Sequence, residues 1–267
     1  TTRRIIRGIV STKAGQLVLV DTPGVHRPRT LLGERLNAMV SDTWSDVDVV
    51  VMCIPADEPI GPGDRFIAQE IASIPKKIKK IAVVTKVDSA DKQTVGNQLL
   101  AIGQLGVEYG IEWEQIVPVS AVKNDQVELL TNLIVDELPE GMALYPDGEH
   151  TDEPEMITIA ELIREAALEG VRDELPHSIA VVIDEMQLRE DRPEDKPLMD
   201  IYAIVYVERD SQKHIVIGKG GSRLKEVGTQ ARLEISELLG VPVHLDIRVK
   251  IAKDWQRDPK QLDRLGF

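Results

Sequence analysis

The chain has 267 residues, enough for one large or two modest cores, with a formal net charge of −13, few aromatics and a single cysteine. One cysteine excludes a disulfide framework, no apolar stretch is long enough to span a bilayer, and the opening TTRRIIRG lacks a signal peptide's apolar region. The acidity excludes a protein coated all over with basic residues, so any nucleic-acid contact has to be local, and the composition reads as soluble and cytosolic.

Up to Leu138, β-rich runs alternate with helical patterns. RRIIRGIVST and QLVLVD read as two strands joined by a KAG turn; LLGERLNAMVSDTW reads as a helix, VDVVVMCI as a buried strand and GDRFIAQEIASI as a helix. KKIAVVTKVD then reads as a strand, QTVGNQLLAIGQLGVEYG as a helix, QIVPVSA as a strand and DQVELLTNLIVDEL as a helix. Such alternation predicts a mostly parallel sheet with helices on both faces. Cys53, inside the apolar run, is expected to be a buried small hydrophobe rather than a reactive thiol.

PEGMALYPDGEHTDEP, between Pro139 and Pro154, breaks the pattern and reads as a linker. After it, EMITIAELIREAALEGVRDEL has helical spacing, and SIAVVIDEMQLRE and LMDIYAIVYVERD alternate like strands. IVIGKGGSRLKEVGTQARLEISELLG is expected to run from a strand end through a glycine loop into a helix, and VPVHLDIRVKIAKDW to be a last strand. This half reads as α+β with strands of antiparallel type. The expected division is 1–140, a linker over 141–155, and 156–267.

Three motifs at successive strand ends carry the chemistry of the first half. In DTPG, Asp21 closes a strand, where it can hold Mg²⁺ through water, and Gly24 can offer its N–H to a terminal phosphate; alone, Asp-x-x-Gly is also an ordinary turn. In TKVD, Asp88 can accept both the N1–H and the exocyclic amine of guanine, while the Lys86 stem covers the base. In VPVSAVK, the N–H of Ala121 can meet the guanine carbonyl.

Together these motifs resemble a translation-factor-type GTPase domain. The resemblance implies GTP/GDP and Mg²⁺ as ligands, with Thr1, Thr2, Asp21, Thr22, Pro23 and Gly24 at the phosphates and metal, and Thr85, Lys86, Asp88, Ser120, Ala121 and Val122 at guanine. It leaves open which of Thr1 and Thr2 binds Mg²⁺. Two positions depart from the pattern: Thr85 stands where asparagine is usual, and Val25 follows Gly24 in place of a glutamine that could orient water, so the catalytic residue is unknown.

In the second half, Gly218-Lys219-Gly220-Gly221 opens a helix, where glycine backbone and free N–H groups suit phosphate. Lys213, Lys219, Arg223, Lys225 and Arg232 make a basic patch, and Ile215, Val216, Ile217, Leu224 and Val227 lie around it. This resembles a KH domain of the bacterial (type II) variant, with Ile217, Gly218, Lys219, Gly220, Gly221, Arg223 and Lys225 implied to bind RNA. Arg248, Lys250 and Lys253 either extend the basic face or form a solvated strand face.

A GTPase domain followed by a KH domain resembles the Era family over essentially the whole chain. Membership implies GTP hydrolysis, binding near the 3′ end of small-subunit ribosomal RNA during 30S assembly, a monomer without DNA contact, and peripheral contact with the inner membrane face. The alternative is an RNA-binding adaptor with a degenerate, non-hydrolysing nucleotide domain. No Gly-x-x-x-x-Gly-Lys-Ser/Thr phosphate loop occurs in the 267 residues. In this fold the strand that would carry it is central, so the expectation is a chain truncated before the effector loop, lacking its first strand and inactive as given.

Overall fold

The structure, a computed structural model, describes residues 4–25, 28–169, 178–193 and 195–267. The described residues form two compact units, one of 5–25 and Leu36–Thr151, the other of residue 4, Pro28–Arg35 and Asp152–Phe267.

In the first unit, β1 (Ile6–Ser11) and β2 (Gln16–Asp21) form an antiparallel hairpin, closed at the turn by the Thr12 hydroxyl, which donates to the Gly15 carbonyl and accepts from the Ala14 and Gly15 amides. Helix α1 spans Leu31–Asp46. Then β3 (Val49–Pro55), α2 (Pro62–Ser73), β4 (Lys79–Thr85), α3 (Lys92–Tyr109), β5 (Gln115–Pro118) and α4 (Val127–Asp136) follow in order. The three strands β3-β4-β5 are parallel, and among the described residues the hairpin forms a sheet of its own.

The unbroken apolar run of β4 is explained by burial on both faces. Ala82 and Val84 pack with Ala68 and Ile71 of α2 and Ile102 and Leu105 of α3. Ile81 and Val83 turn to the other face, against Val117, Val119, Ile134 of α4 and Leu17 of the hairpin.

Cys53 departs from expectation, because among the described residues β3 pairs with β4 alone and buries Val50, Met52 and Ile54 while Cys53 on the alternate face is exposed. Atoms crowding the sulfur, and then the Asp21 carboxylate, push its thiol pKa up, so exposure does not make it a ready nucleophile.

In the second unit, α5 (Glu155–Leu168) precedes β6 (Ala180–Leu188) and β7 (Met199–Val207); the end of the helix expected beyond residue 169 lies outside the described residues. Helices α6 (Asp210–Ile217) and α7 (Ser222–Leu239), strand β8 (Val243–Ile251) and helix α8 (Pro259–Leu265) complete it.

Two expectations are corrected here. The segment before the glycine loop is the helix α6, not a strand end: Gln212 and Val216, four apart, are buried, and the Gln212 side chain accepts from the Glu208 and Arg209 amides at the helix start. The sheet is not wholly antiparallel, since β6 pairs antiparallel with β7 but β8 runs parallel to it. A crossover through two helices brings β8 back in the same direction.

Helices α5 and α7 cover one face of this sheet, where Ile159, Ile163, Ala231 and Ile235 meet Ile201, Ala203, Val205 and Val207. Trp255 is wholly buried and its Nε1–H donates to the Ser178 carbonyl at 3.1 Å.

Candidate nucleotide and nucleic-acid sites

Beyond β4 the chain leaves the sheet through Lys86, whose φ of 54° is left-handed, and makes a single 3₁₀ turn over Val87–Ser89. That turn is closed by the Ser89 amide and hydroxyl, which both donate to the Lys86 carbonyl, at 2.9 and 2.7 Å. It leaves Lys86 and Asp88 exposed above the sheet.

Beyond β5, Ser120 is buried and locked by two backbone bonds to Asp125, while Ala121, Val122 and Lys123 stand exposed. The Ser120 hydroxyl donates to Asp88 Oδ1 at 2.5 Å and accepts the Lys123 amide at 3.1 Å. Two motifs 32 residues apart thus share one corner.

The Ser120 hydroxyl, with the backbone N–H of Asp88 itself, holds the Asp88 carboxyl below its ordinary pKa against partial desolvation, with Lys123 adding a smaller push. A carboxylate held ionised and aimed by a hydroxyl is suited to accept two N–H donors side by side. Thr85 uses its carbonyl to accept the Ala56 amide at 2.8 Å, which ties the end of β4 to the end of β3.

Asp21 lies at the exposed end of β2, followed by half-buried Thr22, buried Pro23 and exposed Gly24, around which a Cβ would meet nothing within 4 Å. Thr1 and Thr2 lie outside the described residues. No group of three or more His, Cys, Asp or Glu side chains able to hold a metal occurs among the described residues. The described residues therefore fit a guanine base and offer one carboxylate, Asp21, toward Mg²⁺; among them no glycine-rich phosphate cradle stands beside Asp21.

In the second unit the loop takes positive φ at Gly218 (74°), Gly220 (62°) and Gly221 (81°). At Gly218 a Cβ would sit 2.7 Å from Arg223 Cβ and 2.9 Å from its amide nitrogen, so the close return of the chain demands glycine there. Lys219 and Gly220 are exposed at the tip, and Ile217 and Gly221 are half-buried.

Beside the loop a groove of about 330 Å³ lies between α7 and β8, lined by Leu224, Lys225, Gly228, Thr229, Arg232, Leu245 and Ile247 together with Gly221. The sequence reading did not assign Gly228, Thr229, Leu245 or Ile247. A glycine in mid-helix, Gly228, was the available signal, because it keeps the groove floor low against Ile247.

Of the other residues expected around the loop, Val216 and Val227 belong to the core. Arg223 donates to the carbonyls of Ala167 and Glu169, at 3.2 and 2.7 Å, and so ties the loop to the end of α5. Arg248 and Lys250 alternate with the groove residues Leu245 and Ile247 along β8, so they point to the opposite face of the sheet and do not widen the groove's basic rim.

A family model described as 50S ribosome-binding GTPase matches residues 1–86, and one described as KH domain matches residues 174–256. The chain is 64% identical to GTPase Era of Streptomyces coelicolor over 100% of this chain and 84% of the relative, and 63% identical to GTPase Era of Mycolicibacterium smegmatis over 100% and 87%. The chain belongs to the Era GTPase family.

The chain is also similar to solved Era structures. One is Era in complex with MgGDPNP and nucleotides 1506–1542 of 16S ribosomal RNA, 33% identical, with a TM-score of 0.90 over 100% of this chain and 87% of that one. Another is Aquifex aeolicus Era bound to GDP·AlF₄⁻, 33% identical, with a TM-score of 0.88 over 99% and 87%. The family is one of GTPases built from a GTPase domain and a C-terminal KH domain. Because Era relatives cover the entire chain, the comparisons lend no support to the expected inactivity of these residues.

Proposed function

We propose that this protein binds and hydrolyses GTP with Mg²⁺, and binds ribosomal RNA near the 3′ end of the small-subunit RNA during 30S assembly. The observation that carries the reading is the joining of Asp88 to Ser120, which builds a guanine-selective corner from two separate loops. Lys86 covers the base, Ala121 and Val122 flank it, and Thr85 anchors the strand end beneath. Asp21, Thr22, Pro23 and Gly24 face the terminal phosphate, with Thr1 or Thr2 the second side of that site; bound Mg²⁺ supplies charge neutralisation at the phosphates.

RNA lies along the glycine loop, where Gly218, Gly220 and Gly221 let a backbone approach, Lys219 and Lys225 meet phosphates, and the groove beside Leu224 and Ile247 takes bases. Era in complex with 16S ribosomal RNA supports this choice of ligand over an adaptor without nucleotide chemistry. Among the described residues no helix is long and apolar enough to cross a membrane. A cytoplasmic monomer touching the inner membrane face only peripherally, with residues 156–267 as the RNA-binding part, belongs to the same proposal.

The test is base exchange at Asp88. With Asp88→Asn the two carboxylate acceptors become one acceptor and one donor, so GDP affinity falls about a hundredfold or more while xanthosine diphosphate, with a carbonyl in place of the amine, gains. Retained GDP affinity in a titration of the variant would remove Asp88 from the base.

A further inference from the structure

Helix α8 ends in a turn that Arg4 and Arg35 close over. Gly266, at a left-handed φ of 78°, donates its amide to the Asp263 carbonyl at 3.2 Å, and the Phe267 amide reaches back to the Leu262 carbonyl at 3.0 Å. The Leu265 carbonyl, which this ending does not use, accepts Arg4 Nη2 at 3.0 Å. A Cβ on Gly266 would sit 2.8 Å from that same nitrogen, so glycine here serves the arginine as well as the turn.

Phe267 is held on three sides. Its ring stacks on that of buried Trp255, with centroids 5.5 Å apart and planes at 27°, and the Arg4 guanidinium lies 5.5 Å from its centroid. Its carbonyl accepts Arg35 Nη1 at 2.6 Å, and the same nitrogen pairs with Asp263 Oδ1 at 2.7 Å. An exposed ion pair alone contributes little. Here the two guanidinium groups also meet carbonyls at the end of a helix, where positive charge is favoured, and a ring anchored through Trp255 to the Ser178 carbonyl.

Arg4 and Arg35 belong to the same compact unit as α8, and they enter it from two separate stretches of sequence. Arg4 follows closely on Thr1 and Thr2, and Arg35 closes the stretch Pro28–Arg35 that comes after Asp21–Gly24. The turn therefore holds the chain at two points that continue covalently into the residues assigned to the terminal phosphate. Groups that must meet at one phosphate gain from being ordered beforehand, because a misplacement of about 1 Å costs rate even where the ligand still binds. The guanidinium groups themselves are engaged with carbonyls, a carboxylate and a ring, which suits them to anchoring these segments.

We propose that the turn Asp263–Phe267 is a positioning element for GTP hydrolysis: by anchoring Arg4 and Arg35 it fixes the two segments that reach the terminal phosphate. This rests on the assignment of Thr1 or Thr2 and of Asp21–Gly24 to that phosphate. Arg4, Arg35 and Phe267 are positioning residues, and none of them belongs to the guanine corner.

The test is steady-state GTP hydrolysis by the protein, with GDP affinity measured alongside. In Phe267→Ala kcat falls about fivefold or more, while affinity for GDP, which lacks the terminal phosphate, stays within about twofold. Phe267→Tyr, which keeps the stacked ring, restores the rate. Arg35→Ala, on the other side of the contact and outside the core around Trp255, gives a fall of the same size, and the double variant is no slower than the slower single.

A kcat in Arg35→Ala equal to that of the unaltered protein overturns the proposal, as do effects that multiply in the double variant or a GDP affinity that falls together with kcat. If Phe267→Ala does not fold, Asp263→Ala takes its place in the same cycle with Arg35→Ala. Failure of the underlying assignment looks different: Asp21→Asn then leaves kcat unchanged.

Discussion

The proposed guanine corner and the glycine loop both expose groups at a turn beside a regular element, but they hold their shape by opposite means. Among the described residues four non-glycine residues have positive φ, and three of them, Lys86, Asn124 and Gln126, lie in the guanine corner. There the chain accepts backbone strain and holds it with a buried hydroxyl, a paired carboxylate and reciprocal amide bonds between Ser120 and Asp125. The RNA loop avoids that strain with three glycines and is pinned from one side by the Arg223 guanidinium on the end of α5. A base that must be told from three others calls for fixed hydrogen-bond geometry, whereas a nucleic-acid backbone calls only for close approach.

The contrast can be broken most forcefully within the loop itself. Gly218→Ala adds a Cβ that meets Arg223 at 2.7 and 2.9 Å on a backbone with φ of 74°, so either the start of α7 or the Arg223 contacts to α5 must give way. The expected cost is about 2–3 kcal/mol of stability, read as a lowered denaturant midpoint, together with loss of RNA binding. Gly220→Ala, whose Cβ meets open space, costs about 1 kcal/mol from its left-handed backbone alone. Equal effects of the two substitutions would show that conformation alone, and not close packing, sets the loop.

The guanine corner should fail through a side chain instead. Ser120→Ala leaves the backbone bonds to Asp125 in place but removes the hydroxyl that aims Asp88, and GDP affinity falls about tenfold with little change in stability. The pH dependence sharpens this. With its pKa depressed, Asp88 stays ionised down through the ordinary aspartate value of 3.8, so its contribution to binding is complete above that value and is lost only as pH falls through the depressed one. In Ser120→Ala the loss moves up toward the ordinary value. A nucleotide titration between about pH 3 and pH 6 separates the two, and superimposable profiles would remove Ser120 from control of that carboxylate.

The same contrast explains what could be read from sequence. The parts of the proposed guanine corner could be picked out because they are side chains of fixed chemistry at strand ends, and the structure brings two of them, Asp88 and Ser120, together. The strain at Asn124 and Gln126 was not legible, because nothing in VKNDQ announces a left-handed backbone. The segment KHIVIG misled because its β-branched residues favour a strand, while the helix is set by packing of Val216 into the core and by the Gln212 cap four residues earlier. The direction of β8 followed from that error, since a helical crossover allows a parallel return that a strand would not. The Gln16 side chain donates to the Tyr145 carbonyl in the segment read as a linker, and that contact was invisible for another reason: a glutamine that binds main chain 129 residues away leaves no local pattern.

The smallest effects belong to the groove, and they decide whether it holds a backbone or only bases. Lys225 and Arg232 both line it, and no ion-pair partner in the described structure neutralises either, while the apolar floor at Leu224, Leu245 and Ile247 lies between them. If each meets one phosphate of a single strand, Lys225→Ala and Arg232→Ala each lower the slope of log affinity against log salt by about 0.7, and weaken binding by a similar factor for every sequence tried. Substituting Ile247 by alanine removes contact with bases and leaves that slope unchanged while affinity falls. A salt slope unchanged in all three variants would mean that the loop, through Lys219 and its glycine backbone, carries the phosphate contacts by itself and that the groove selects bases alone.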